Sequence, residues 1–265
     1  MHRFHNSRAS HAESRNLEGF TDFTTLEGDA VTAGPDAIAS LRPFGRDVPE
    51  QQVVEARDPN AEPIGPVERA IALARRGRRL DAIIVLRDLV RDGPTATEPR
   101  LALAALLEES GELEEAVVEL GTALTHGAAR APTLARRGAV HARLGQAKSA
   151  EQDFREAIRS DATYWIAYRY LGNTQLRLGR AEEAAATLRD ALTLAPQDPE
   201  TVLFLGEALL KAGQLEAAFG ELKRAVDLAP GDPRGYTQLG RLFDRLGRSE
   251  DAMAMHRKAR EVTTA

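Results

Sequence analysis

Apolar residues recur along this chain at helical spacing, inside a longer period of 34 residues. From Pro63 to about Val262, the same order of small, apolar and polar positions returns six times without an insertion. The most regular marker is a glycine at every 34th residue: Gly77, Gly111, Gly145, Gly179, Gly213 and Gly247. An alanine follows each glycine five residues later, from Ala82 to Ala252. A period of this length predicts a repeat architecture.

Residues 199–232 show what one copy folds into. Asp198 can cap a helix that begins at Pro199, where proline's missing N–H costs nothing. That helix should end at Gly213, which can adopt the left-handed conformation. A second helix should then run to Pro230. The two apolar stripes have helical spacing: Val202, Leu205, Leu209, then Leu215, Ala218, Leu222, Ala225, Leu228. The pattern predicts an all-α antiparallel helix pair, which needs stacked neighbours to bury its apolar face.

This pattern resembles the tetratricopeptide repeat (TPR), whose signature is W-x2-L-G-x2-Y, then A-x3-F, then P. Repeat 5 carries it as Val202, Leu205, Gly206, Leu209, then Ala218, Leu222, Ala225, Pro230. The resemblance implies a right-handed solenoid of six helix-turn-helix repeats. It covers residues 63–265, with repeats that start near residues 63, 97, 131, 165, 199 and 233.

Three arginines depart from the family pattern. Arg69 in repeat 1 and Arg137 in repeat 3 stand where the pattern has leucine, and Arg100 in repeat 2 takes the large-residue position. We expect repeat 1 to be a polar N-terminal cap, which a solenoid needs. Repeats 2 and 3 are expected to be looser than repeats 4 and 5.

Residues 1–62 lack the period and hold all of the net charge of −5, whereas residues 63–265 are neutral. Frequent Gly and Pro predict that this acidic N-terminal tail is mostly disordered. A neutral repeat domain argues against a non-specific nucleic-acid binder. The stretch Leu17–Glu27, with Phe20 and Phe23, looks like a short linear binding motif; the alternative is a linker with incidental aromatic residues.

No catalytic or cofactor motif is present. The chain has no Cys, no phosphate-binding loop, no nucleophile elbow and no H-E-x-x-H pair. His2, His5 and His11 could chelate a metal weakly, but a terminus expected to be flexible gives them no fixed geometry. We therefore expect a non-enzyme without cofactor or metal. No apolar run is long enough to cross a bilayer and no signal core is visible, so we expect a cytoplasmic protein without membrane insertion.

By resemblance, the first helix of each pair lines the concave face, where partners bind. Repeats 3 and 4 place four arginines there and no acid of their own, which suits a peptide with carboxylates. The candidate peptide-binding residues are Arg136, Arg143, Arg169, Tyr170, Asn173, Arg177, Phe204, Lys211, Arg234 and Arg241. The expected function is a protein-interaction scaffold or adaptor that binds an acidic peptide segment or a partner protein on the concave face.

Two alternatives stay open. Chaperone-tail-binding members of the family use a two-carboxylate clamp, of which Arg169, Asn173 and Arg234 are partial matches, while Phe204 and Gln238 depart from it. The chain would then be a co-chaperone-like adaptor with a degenerate clamp. Alternatively, it is a self-assembling structural component of a larger complex. A weak homo-oligomer would form through the C-terminal repeat, where Met253 and Met255 are expected on an uncovered helix face.

Overall fold

The computed structural model describes residues 65–264, and within this range the chain forms twelve α-helices and no strand. The predicted disordered tail, residues 1–62, and its motif Leu17–Glu27 lie outside the described residues. The helices alternate as first and second helices of six pairs: α1 Pro66–Arg75, α2 Arg79–Asp92, α3 Thr97–Ser110, α4 Leu113–Thr125, α5 Arg130–Arg143, α6 Ala147–Ser160, α7 Trp165–Arg177, α8 Ala181–Leu194, α9 Pro199–Lys211, α10 Leu215–Leu228, α11 Pro233–Arg245 and α12 Ser249–Thr263.

The predicted start and stop signals lie where the helices begin and end. Asp198 caps α9, and its carboxylate accepts a hydrogen bond from the Thr201 N–H at 2.8 Å. Pro199 takes the first helical position. The recurring glycines all have positive φ, with Gly213 at 78°, which a residue with a Cβ adopts only at a cost. The 34-residue period is therefore a period of helix pairs.

Small residues let the two helices of a pair approach closely. A Cβ built on Gly206 would lie 2.6 Å from Leu222, and one on Gly172 would lie 2.5 Å from Leu188. Both distances are too short for a real contact. Each glycine in the first helix thus makes room for the large buried residue in the second, which explains why the two positions recur together.

First helices of neighbouring repeats pack side by side at four of the five boundaries between repeats, and α5, α7, α9 and α11 form one continuous wall. α1 contacts α3, α5 contacts α7, and α9 contacts both α7 and α11. Among the described residues, no comparable contact joins two second helices. The second helices therefore form the outer layer of a solenoid, and the first helices form its inner face. Apolar clusters between the layers run from α1 to α12.

Ion pairs fill the positions where repeats 2 and 3 depart from the family pattern. Both Asp153 oxygens accept hydrogen bonds from Arg137, at 2.6 and 2.8 Å. This bond to Asp153 raises the pKa of Arg137, although burial opposes the charge. Arg100 pairs with Glu119 at 2.5 Å and also donates to the Pro94 carbonyl. Arg100 and Arg137, which replace apolar residues in repeats 2 and 3, therefore each have a carboxylate partner on the second helix of their own repeat.

The outer end of repeat 6 is polar. Thr237, His256, Arg260 and Thr263 line a shallow depression of about 310 Å³ there. One period earlier, the equivalent residues of repeat 5 are Leu203, Leu222, Val226 and Ala229, which α11 helps to cover. The expectation of two uncovered methionines is half right. Met253 is 63% exposed, but Met255 packs against the apolar cluster.

No described helix combines the length and the apolar composition that crossing a membrane requires.

Candidate functional site

All ten candidate peptide-binding residues lie on first helices, which form the inner layer of the solenoid. The wall α5–α7–α9–α11 carries them in chain order. Their placement is Arg136 and Arg143 in α5, Arg169, Tyr170, Asn173 and Arg177 in α7, Phe204 and Lys211 in α9, and Arg234 and Arg241 in α11. What differs between them is burial and the partner that each one already has.

Arg136 already has a carboxylate partner. Its Nε lies 2.6 Å from Glu108 of α3, and both side chains are mostly buried. The expectation that the arginines of repeats 3 and 4 face no acid is therefore wrong for this residue. The reason is that the acid comes from the neighbouring repeat, since first helices pack side by side.

Arg169 is the second arginine that an acid of the next repeat neutralises. One of its terminal nitrogens lies 2.8 Å from Glu200 and 3.4 Å from Asp198. Its guanidinium also lies 5.2 Å from the Trp165 ring centre and 5.3 Å from that of Tyr170. Burial opposes its charge, but Glu200, Tyr170 and Asp198 outweigh burial and raise the pKa of Arg169. Arg169 is thus a charged group whose carboxylate partners come from the next repeat, although its buried Nε has no hydrogen-bond partner.

The two arginines of the partial carboxylate clamp, Arg169 and Arg234, are likewise already paired with acids of the chain. Glu200 also lies 3.5 Å from Arg234, which pairs with Asp232 at 2.9 Å. A ligand carboxylate would therefore compete with Glu200 for both clamp arginines. Two of the other three clamp positions offer little surface, because Asn173 is 7% and Phe204 8% exposed.

Two inner-face arginines bond to the main chain of the preceding first helix. Arg143 donates to the Glu108 carbonyl at 3.1 Å, and Arg245 donates to the Leu210 carbonyl. Both acceptors lie in the last turn of a helix, where carbonyls lack a partner within the helix. These side chains thus tie neighbouring repeats together. The guanidinium of Arg245 is held beside the end of α9, which also carries Lys211.

Arg241 and Arg245 differ from the other inner-face cations. They lie four residues apart on one face of α11, both are exposed, and no described carboxylate pairs with either. The nearby acids of repeats 5 and 6 contact other basic side chains. Glu207 pairs with Lys211 at 3.1 Å, and Asp244 faces His256 at 3.2 Å.

Sequence reasoning left Arg245 outside the candidate set. The signal was present in the sequence, because Arg143, Arg177, Lys211 and Arg245 stand one period apart at the ends of the first helices. We call Arg241 and Arg245 the α11 arginine pair.

An apolar notch at the edge of repeats 5 and 6 was not predicted either. It encloses about 440 Å³ beside Leu215, Phe219 and Leu246, and Arg248 and Glu216 lie at its rim. The Phe219 ring contacts the Phe243 ring, with centres 5.9 Å apart. The notch lies on the side of the helix-pair turns rather than on the inner face.

The fold and its charged inner face define a helical-repeat protein of the solenoid class. Models of the tetratricopeptide repeat match residues 67–133, 136–199 and 179–236. The chain therefore belongs to the tetratricopeptide repeat family. None of the curated proteins compared with it matches its sequence.

Solved structures with the same fold are similar to the chain at low sequence identity. PilW, titled a widely conserved type IV pilus biogenesis factor, is 20% identical with a TM-score of 0.64, covering 72% of this chain and 88% of its own. YrrB, titled a TPR protein with an unusual peptide-binding site, is 22% identical with a TM-score of 0.54, covering 67% and 91%. MamA from Desulfovibrio magneticus RS-1 is 23% identical with a TM-score of 0.58, covering 63% and 95%. At these identities the likeness shows the fold alone.

Proposed function

We propose that this protein is an interaction scaffold that binds an acidic peptide segment of a partner on the inner face of repeats 5 and 6. Repeat proteins of this family generally act as binding modules rather than as enzymes. The observation that carries the proposal is the α11 arginine pair, because these two exposed cations have no carboxylate partner among the described residues.

The geometry of α11 favours a carboxylate ligand. Residues four apart on a helix lie about 6 Å apart along its axis, so one acidic side chain can bridge Arg241 and Arg245. The main-chain bond of Arg245 orders its guanidinium without neutralising it. A preordered arginine loses less side-chain entropy when it binds, and its planar group accepts a carboxylate with two hydrogen bonds.

The remaining candidate residues have supporting roles in this proposal. Arg136, Arg169 and Arg234 are held by ion pairs and shape the groove, and Glu200 between the last two discourages a ligand acid at that end. Tyr170, partly exposed beside Arg169, offers an aromatic surface to a ligand side chain. The expected ligand thus places its acid near the end of α11 and its apolar residue toward α7.

The test compares matched peptide sets against the full chain. One set is acidic with interspersed aromatic residues, and the second set replaces every acid by its amide; fluorescence anisotropy measures the affinity. We expect the acidic set alone to bind, and Arg241→Glu/Arg245→Glu to weaken its binding at least about tenfold. One charge-assisted hydrogen bond is worth about 1.5–3 kcal/mol, and about 1.4 kcal/mol corresponds to a factor of ten.

The matched control carries the same change in net charge on second helices. Arg189 in α8 and Lys223 in α10 are exposed, and no ion pair joins either to another described residue. Arg189→Glu/Lys223→Glu should bind like the wild type, apart from a modest long-range effect that salt removes. Equal weakening in both double variants would mean that net charge alone attracts the peptide and would contradict the proposed site.

A self-assembling role remains the second candidate, because Met253 is an exposed apolar residue on α12. The polar end of repeat 6 disfavours end-to-end stacking of two copies. Self-association would therefore use the outer side of α12.

A further inference from the structure

The α11 arginine pair has an acidic counterpart within the same chain. Residues 16–41 contain five carboxylates and no Lys or Arg. The motif Leu17–Glu27 supplies three of these acids, Glu18, Asp22 and Glu27, with Phe20 and Phe23 between them. This combination of acids and aromatics is the ligand chemistry that the inner face of repeats 5 and 6 favours.

We propose that Leu17–Glu27 occupies the inner face of repeats 5 and 6 of its own chain and competes there with the acidic segment of a partner. The proposal rests on the proposed function, since it assigns an internal competitor to the same site. Carboxylates of the motif contact the α11 arginine pair, which has no acid of its own within the described residues.

Charge complementarity selects this part of the groove rather than its neighbours. Glu108 neutralises Arg136, and Glu200 neutralises Arg169 and Arg234. An acidic segment placed over those residues would have to displace a carboxylate that is already bound. Over the α11 arginine pair nothing has to be displaced, so the net gain is larger there.

The length of the chain permits the contact. The motif ends 38 residues before Gly65, the first described residue. A stretch of that length can span up to about 125 Å. Five steps between neighbouring first helices, of about 8–10 Å each, separate α1 from α11 by roughly 40–50 Å. The motif can therefore reach α11 without any change in the solenoid.

Occupation by a segment of the same chain regulates binding. A partner must then compete with a ligand that is always present at high effective concentration. The partner's apparent affinity is its intrinsic affinity multiplied by the fraction of sites that are open. A partner with more carboxylates, or one that binds the motif itself, would open the site.

The direct test measures proximity in the full chain. The chain has no native cysteine, so Thr25→Cys/Gln238→Cys introduces two unique spin-labelling positions, one in the motif and one on the inner face of α11. The control pair Thr25→Cys/Gln152→Cys places the second label on an exposed position of α6 in the outer layer. Double electron–electron resonance then measures the distance between the two spin labels. An excess of unlabelled chain restricts the signal to label pairs within one molecule.

We expect a short, narrow distance population for the Gln238 pair alone. It should disappear in the Arg241→Glu/Arg245→Glu background and in 1 M salt, where the Debye length is about 3 Å. Identical broad distributions for both label pairs would overturn the proposal, and so would a short population that salt and charge reversal leave unchanged.

A second readout separates this proposal from the proposed function. Glu18→Gln/Asp22→Asn/Glu27→Gln in the full chain should bind the acidic peptide set several-fold more tightly than the wild type. Equal affinities, with binding still lost in Arg241→Glu/Arg245→Glu, would reject the internal competitor and leave the proposed site standing. Absence of peptide binding even in the neutralised variant would reject the proposed function instead.

Discussion

Replacing Arg137 by leucine should destabilise the protein, although leucine is the residue that the family pattern has at this position. The carboxylate of Asp153 is only 6% exposed and receives two hydrogen bonds from Arg137. In Arg137→Leu this carboxylate stays in a low-dielectric site without its main partner. The substitution that restores the consensus therefore removes a contact that this chain requires.

The magnitude follows from the geometry of the pair. Removing one partner of a buried ion pair costs about 3–5 kcal/mol. Leucine recovers up to about 1 kcal/mol of apolar contact, because the aliphatic stem of arginine already covers part of that surface. The expected loss is thus about 2–4 kcal/mol, or roughly 4–16 °C in Tm for a domain of this size.

Urea unfolding measures the effect by circular dichroism and by the fluorescence of Trp165, the one tryptophan of the chain, which begins the next repeat. Arg137→Leu/Asp153→Ala should return to within about 1 kcal/mol of the wild type, because replacing both partners leaves no buried charge. Arg189→Leu, at an exposed position of α8, should stay within about 0.5 kcal/mol. An unchanged or raised stability of Arg137→Leu alone would refute the reasoning.

Three further predictions concern the turns, the caps and the surface of α12. Gly213→Val should lower the free energy of unfolding by at least ~1–2 kcal/mol, because φ is +78° at this residue. The control Gly220→Ala has open space around it and should be neutral or stabilising by up to ~1 kcal/mol. Thermal melts of the two variants test this difference, and equal Tm values would contradict it. Asp198→Ala should cost about 1–2 kcal/mol in chemical denaturation, because it removes the cap of α9 and a partner of Arg169; a neutral variant would contradict that role. Met253→Lys should abolish any weak self-association in concentration-dependent light scattering without changing stability; a wild type that is monomeric at every concentration would count against self-assembly.

The helical architecture could be predicted in detail because its determinants are local. A left-handed glycine at each turn, an N-cap at Asp198 and a small residue such as Gly206 opposite Leu222 act within one repeat. The sequence alone therefore contains both the helix ends and the helix-pair contact. The 34-residue period then indicates how the pairs stack.

The charge state of the inner face could not be predicted from one repeat at a time. Arg136 pairs with Glu108, and Arg169 pairs with Glu200, across the boundary between two repeats. Such ion pairs depend on side-chain rotamers, which the 34-residue sequence period does not specify. The hydrogen bond of Arg245 could not be predicted for a related reason, because its acceptor is a main-chain carbonyl of the preceding repeat. An arginine that looks unpaired within its own repeat thus forms an ion pair with an acid of the neighbouring repeat once the repeats stack.

Amide chemical-shift mapping of the full chain with an acidic peptide tests the inner-face site most directly. The isotopically labelled protein is titrated with the tightest peptide of the acidic set, and the same titration is repeated with Arg241→Glu/Arg245→Glu. We expect saturable shifts at residues of α9 and α11 that face the groove, and their loss in the double variant. Shifts concentrated on second helices, or shifts that persist unchanged in the double variant, would contradict a peptide-binding site on the inner face of repeats 5 and 6.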